Sequence, residues 1–347
     1  MRNLDDLNKV AVAMVAPGKG ILAADESTGT IKKRFDSINV ESTEDNRRDY
    51  REFLFRTESA MQENISGVIL FDETIRQKAA DGTPLTKLIE QAGSIPGIKV
   101  DKGAKDLCFA PGEKVTDGLD GLRDRMAEYY DLGARFAKWR AVIDISRGGD
   151  LTMPSDYCLK TNAHALARYA ALCQEANIVP IVEPEVLMDG DHDIDRCYDV
   201  TTAGLKFLFQ ELYEQRVALE GTILKPNMII AGKLSSKQAS TEEIAEKTVK
   251  CFREAVPAAV PGIVFLSGGQ SEVEATKNLN TMNAHYKDKM PWGLSFSYGR
   301  ALQASALETW SGKEENIPAA QAAFAHRAKM NGLAQLGDWS EAAESAS

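Results

Sequence analysis

The sequence predicts an α/β protein folded as a single (β/α)₈ barrel of the TIM type with a short C-terminal tail. Three observations carry that expectation. Short β-branched or apolar runs recur along almost the whole chain, polar helix-compatible stretches separate them, and no linker interrupts the series. The runs are GKGILAAD (18–25), SGVILFDE (66–73), GIKVDK (97–102), ARFAKWRAV (134–142), IVPIVEPE (178–185), TILKPNMII (222–230), GIVFLSGG (262–269) and WGLSFSYG (292–299).

The stretches between them are long enough for crossover helices, and several carry start signals. Ser240 is followed three residues on by Glu243, after which Ile244, Thr248, Phe252 and Val256 share one helical face. Ser271 and Glu274 repeat the same spacing after the seventh run. Strand alternating with helix implies a parallel sheet, and eight repeats suit a closed barrel. An open doubly wound sheet is the competing arrangement. Against it, no G-x-G-x-x-G follows the first strand and no Walker-type phosphate loop occurs.

Residues 1–339 therefore read as one barrel domain, and residues 340–347 as a flexible Ala/Ser/Glu-rich tail with little to bury. The 347 residues, 44% hydrophobic and 27% charged, allow a sizeable core. No apolar run approaches the roughly 20 residues that cross a bilayer, and the N-terminus lacks a basic-then-apolar signal pattern, so no membrane partner and a cytoplasmic location are expected. Cysteines 108, 158, 173, 197 and 251 are scattered without a CxxC pair, and read as core thiols rather than disulfides or a zinc site. A net charge of −10 disfavours nucleic acid as the main partner. A local cluster of Lys and Arg can still serve a phosphorylated substrate.

The informative feature is charge inside the strands. Side chains alternate across a strand, so Lys138 and Arg140 of FAKWR share one side, as do Glu183 and Glu185 of VEPE. Lys225 sits in the middle of ILKPNM, Lys99 lies in GIKVDK, and Asp25 closes the first run. Charged residues are rarely buried unless paired, and a salt-bridge network that merely fixes the barrel is a poor use of their desolvation cost. Gathered near the C-terminal strand ends, they would instead meet at the barrel mouth, where catalytic sites of this fold lie.

A free lysine amine, with a pKa of about 10.4, is mostly protonated at neutral pH and not nucleophilic. A neighbouring cation and desolvation both favour the neutral amine, and Lys138 beside Lys225 supplies that arrangement. Glu183 and Glu185 could move protons as a carbinolamine loses water to become an iminium. The iminium is an electron sink, so an adjacent carbon–carbon bond can break to an enamine. This is aldol cleavage without a metal or other cofactor.

Phosphate sites fit the remaining signals. SGGQS (267–271) ends the seventh run and SYGR (297–300) the eighth, each with glycine just before a helix start, where backbone N–H groups bind anions. Arg300 strengthens the second loop. Lys33, Arg34, Lys99 and Arg140 could hold another phosphate, although Lys32, Lys33 and Arg34 could equally form a solvated helix face. The four histidines show no HxxxH or HxH spacing, so no metal site is expected. DGDHD (189–193) lacks the order of a calcium loop and reads as a surface turn.

The segments VAPGKGILAADESTGTIKKR, GIKVDKG, FAKWR, NIVPIVEPE, GTILKPNM, FLSGGQSE and FSYGRALQASAL, in this order through nearly the whole chain, resemble class I fructose-bisphosphate aldolases. The resemblance implies Lys225 as the Schiff-base lysine, Glu183 as general acid/base and Glu185 as the neighbour that orients the lysine. It implies Lys138 as a charge-tuning residue and Asp25 as acceptor of the substrate hydroxyl proton. Ser267, Gly268, Gly269, Ser297, Gly299 and Arg300 would embrace the 1-phosphate, and Ser27, Thr30, Lys33, Arg34, Lys99 and Arg140 would lie towards the other. Thr30 stands where many members have Ser.

The resemblance also implies a homotetramer. One departure concerns the end of the chain. Many members finish with a Tyr that assists proton exchange on the enamine, whereas this chain ends EAAESAS with no Tyr after Tyr298. The departure bears on any rate or substrate preference borrowed from those members. The expected reaction is reversible cleavage of fructose 1,6-bisphosphate to dihydroxyacetone phosphate and glyceraldehyde 3-phosphate. Sedoheptulose 1,7-bisphosphate competes as substrate, a non-catalytic scaffold role is a separate class, and a transaldolase-like transferase fits two phosphate cradles less well.

Overall fold

The computed structural model describes residues 3–145 and 153–346. Its strands are β1 (Gly20–Ala24), β2 (Ile65–Leu70), β3 (Ile95–Lys99), β4 (Ala104–Asp106), β5 (Lys114–Thr116), β6 (Phe136–Ile143), β7 (Val179–Val186), β8 (Ile223–Leu224), β9 (Gly262–Phe265) and β10 (Gly293–Tyr298). Eight of them close a parallel barrel in the order β1-β2-β3-β6-β7-β8-β9-β10, with β10 returning to β1. Each of the eight runs in the sequence supplies one barrel strand. The antiparallel β4–β5 hairpin is an addition, inserted after β3.

The helices begin where the spacing indicated. Ser271 and Glu274 form a complete capping box at the head of the helix Glu272–Tyr286. Ser240 accepts from the Glu243 N–H at the head of Thr241–Ala255, which buries Ile244, Thr248 and Phe252. Asp193, from the DGDHD turn, caps the helix Ile194–Glu214 through the Arg196 N–H, while His192 of that turn is buried. Four of the cysteines are buried free thiols, and Cys108 is exposed.

One apolar cluster fills the barrel around Phe136, joining Ile21, Ile69, Ile181, Ile223 and Val264 to Leu7, Ala11 and Met14 of the helix Leu4–Met14. The Phe136 ring lies so close to β3 that a β-carbon on Gly97 would collide with it. Gly97→Ala should therefore overpack the barrel and cost about 1–3 kcal/mol, read as a lower urea midpoint. An unchanged midpoint would show that Phe136 has room to move.

Residues 340–346 are mostly exposed and bury no side chain fully, yet they carry local structure. Ser340 caps a helical turn, Glu341–Ser345. The Glu344 carboxylate accepts from the Trp339 indole N–H at 2.9 Å and from the buried Arg327. A charged residue in a low-complexity stretch has found a buried cation, which composition alone does not reveal. Ser347 lies outside the described residues. Among the described residues, no helix is long and apolar enough to cross a membrane.

Candidate active site

A cavity of about 700 Å³ opens at the C-terminal ends of the barrel strands, and every candidate residue read from the sequence lines it. The parallel register explains the convergence. Lys99 of β3 lies opposite Lys138 of β6, and Arg140 of β6 lies opposite Glu183 of β7. Lys225 follows β8 directly. The run 222–230 was expected to be all strand, yet only Ile223 and Leu224 form the ladder. The Lys225 N–H still donates to Val182, but Pro226 has no N–H with which to continue. Asn227 then accepts the Val186 N–H with its side chain, so the chain can leave the sheet without orphaning β7.

At the floor of the cavity the Glu183 carboxylate lies between two amines. One oxygen is 3.1 Å from Lys225 Nζ and the other 3.1 Å from Lys138 Nζ, which also lies 2.9 Å from Asp25. Lys138, Glu183 and Lys225 are 4%, 3% and 4% exposed, so these contacts form largely without solvent. Burial disfavours the charged forms of Asp25, Lys138 and Glu183, but their neighbours outweigh it. Lys138, Lys225 and Arg140 keep the Glu183 carboxyl below its usual range. Lys138, Lys99 and Lys225 hold Asp25 well below the ordinary carboxylate range. Asp25, Glu183 and Asp101 in turn push Lys138 upward. At neutral pH the floor carries two carboxylates and an obligate ammonium at Lys138.

Glu185 does not meet Lys225 in any hydrogen bond or ion pair among the described residues. It pairs with Arg140, its diagonal neighbour on the β6–β7 ladder, and raises the guanidinium pKa against the effect of burial.

Two walls suit phosphate. Gly268 and Gly269 take the left-handed region, with φ of 54° and 81°, which turns the loop after β9 around the cavity. The helix Arg300–Trp310 begins at Gly299, which offers no side-chain cap, so its first N–H groups remain available. Ser297 Oγ is buried beside them with no hydrogen-bond partner among the described residues. Across the cavity, Ser27 heads the helix Thr28–Asp36 without capping it, its hydroxyl lying 3.1 Å from that of Thr30. Lys33 and Arg34 face the cavity, whereas Lys32 pairs with Asp36 at the exposed surface.

Sequence reading missed Asp101, Glu26 and Ser37, which also line the cavity. Asp101 was within reach of the same argument, since it lies two residues beyond Lys99 and alternation turns both to one side. Glu26 is harder to foresee. It is buried because Arg34 of the following helix pairs with it at 2.5 Å and Gln303 of the distant helix Arg300–Trp310 donates to it at 3.2 Å.

The geometry is therefore a buried Lys–Glu–Lys–Asp floor between one wall of glycine loops and a helix start and another carrying Lys33, Arg34 and Lys99. Residues 6–347 match the family model for fructose-bisphosphate aldolase class-I. A curated relative from Xanthomonas campestris pv. campestris, named "Probable fructose-bisphosphate aldolase class 1", is 60% identical over 97% of this chain and 99% of its own length. "Fructose-bisphosphate aldolase 6, cytosolic" from Arabidopsis thaliana is 57% identical over 96% of this chain and 91% of its own. A solved fructose-bisphosphate aldolase from Plasmodium falciparum, in complex with TRAP and a small-molecule inhibitor, superposes with a TM-score of 0.93 at 49% identity, covering 97% of this chain and 96% of that one. The chain belongs to the class I fructose-bisphosphate aldolases, carbon–carbon lyases that act on phosphorylated sugars through a lysine Schiff base.

Proposed function

We propose that Lys225 is the amine that attacks the C2 ketone of fructose 1,6-bisphosphate, and that Glu183 moves the protons of that step. The observation that carries this reading is the single carboxylate shared by Lys225 and Lys138 at 3.1 Å each. Glu183 takes a proton from the Lys225 ammonium, freeing the lone pair for attack on C2. The protonated Glu183 then donates to the carbinolamine hydroxyl, which leaves as water, and the iminium forms. Asp25 takes the proton of the C4 hydroxyl, the C3–C4 bond breaks, and its electron pair enters the iminium to give the enamine. Glyceraldehyde 3-phosphate departs first. Protonation at C3 and hydrolysis of the resulting iminium then release dihydroxyacetone phosphate.

Lys138 remains an ammonium throughout and balances Asp25 and Glu183. The loops 267–269 and 297–300 hold the 1-phosphate, and Ser27, Thr30, Lys33, Arg34, Lys99 and Arg140 serve the distal end. One catalytic domain over residues 1–339, a cytoplasmic location and a homotetramer belong to the same proposal. The location is supported by the name of the Arabidopsis relative, and the tetramer by the family resemblance.

The test is borohydride reduction in the presence of dihydroxyacetone phosphate, followed by peptide mass mapping. The adduct is expected on the peptide carrying Lys225. An adduct on Lys138 or Lys99 would reassign the nucleophile, and no adduct on folded protein would remove the covalent mechanism.

A further inference from the structure

Beside the main cavity lies a second chamber of about 590 Å³, walled by residues after β2 and β3 and by the helix Leu122–Asp131. The two spaces share Ser27, Lys99, Asp101 and Gly103, so the chamber continues the distal wall of the active site. Its lining carries four basic residues, Arg76, Lys99, Lys102 and Arg125, against two acidic ones, Asp72 and Asp101.

These charges are not equally committed. Asp72 is engaged, accepting from Arg76 at 3.0 Å and from the Tyr129 hydroxyl at 2.7 Å. Arg125 donates to the Val100 and Gly118 carbonyls, which fixes its guanidinium in the wall without cancelling its charge. Lys99 rests over the Phe71 ring, 5.1 Å from the centroid. Lys102 has no ion pair among the described residues. With Arg76 balanced by Asp72 and by Glu128, Lys99, Lys102 and Arg125 still outnumber Asp101, so the chamber keeps a modest cationic excess beyond Lys99.

We infer that this recess seats the distal phosphate of ketose bisphosphates longer than six carbons, with Lys102 as the residue that selects for chain length. The inference rests on the reading of Lys225 and of the two phosphate walls given above. Covalent attachment at Lys225 fixes C2, and the 267–269 and 297–300 loops fix the phosphate on C1. An extra carbon therefore lengthens only the distal arm. Its phosphate moves outward from Ser27 and Thr30, keeps Lys99, and gains Lys102. On this inference a six-carbon substrate leaves Lys102, which lines the second chamber but not the main cavity, without a phosphate partner.

A phosphate contact remote from the breaking bond contributes equally to substrate and transition state, so its loss appears in KM rather than kcat. The experiment measures cleavage of sedoheptulose 1,7-bisphosphate and fructose 1,6-bisphosphate by wild type, Lys102→Gln and Lys102→Glu. For the seven-carbon substrate, Lys102→Glu should raise KM about tenfold or more and Lys102→Gln less, while both six-carbon constants stay within about twofold. The six-carbon reaction also serves as the folding control.

Equal KM changes for both substrates would make Lys102 part of the general field and overturn the inference. So would no change for either. Wild-type enzyme that cleaves only the six-carbon substrate would defeat the inference and leave the Lys225 reading intact. Cleavage of neither would defeat both.

Discussion

Lys225→Met should abolish borohydride trapping and lower kcat by on the order of 10⁴–10⁶-fold, with little loss of stability. On the proposed mechanism the kinetic effect is large because the iminium forms at Lys225, and without an iminium the C3–C4 electron pair has no sink. Met matches the unbranched stem of Lys and places no new polar atom in the buried floor. The stability effect is small because Glu183 still faces Lys138 at 3.1 Å and the nearby Arg140 cation. The variant thus loses one partner of Glu183 without isolating its charge, and a retained urea midpoint separates lost chemistry from lost folding. Appreciable turnover by the folded variant would mean that another amine forms the Schiff base, and Lys138 would be examined first.

The barrel and the charged floor were legible because both follow from short-range patterns. Eight apolar runs specify eight strands, and the period of two places Lys138 with Arg140 and Glu183 with Glu185 whatever the packing around them. What pairs with what was not legible. Spacing within a strand cannot show that Glu183 bridges Lys138 and Lys225, or that Glu185 turns to Arg140, because those choices depend on register across the β6–β7–β8 ladders.

The β4–β5 hairpin escaped for a different reason. Its strands have three residues each, β4 is fully exposed, and neither carries the apolar alternation that marks a half-buried strand. Likewise, Glu344 looked like part of an inert tail because its partners Arg327 and Trp339 carry no local signature of a salt-bridge site. Long-range polar pairs are the part of this fold that local pattern does not encode. Others of the same kind gather the charged groups of the cavity floor.

Lys138→Met tests that dependence, because Lys138 is the hub of the floor. Removing it leaves Asp25 and Glu183 buried with one cation fewer, and breaking such a pair costs about 3–5 kcal/mol. The deficit should depend on pH with a definite sign. Asp25 and Glu183 are held below their ordinary values, so in the wild type their stabilising contribution is present above the unfolded pKa values of about 4 and is lost as pH falls through the lower folded values. Lys138 is shifted upward, so its contribution is complete below its unfolded pKa of about 10.4 and is lost only as pH rises through the folded value.

In the variant the two carboxyls lose their strongest cationic neighbour and their pKa values rise. Protonation then relieves the uncompensated charge. The stability gap from wild type should be widest near neutral pH and narrow as the pH falls towards about 4. Activity should fall by about 10²–10⁴-fold at neutral pH, because proton transfer through Asp25 and Glu183 depends on their ionisation state. Urea midpoints for both proteins across pH 4–8 decide the matter. A gap that stays constant over that range would mean that Lys138 acts through packing alone. The floor would then have to derive its charge balance from Arg140 and Lys99.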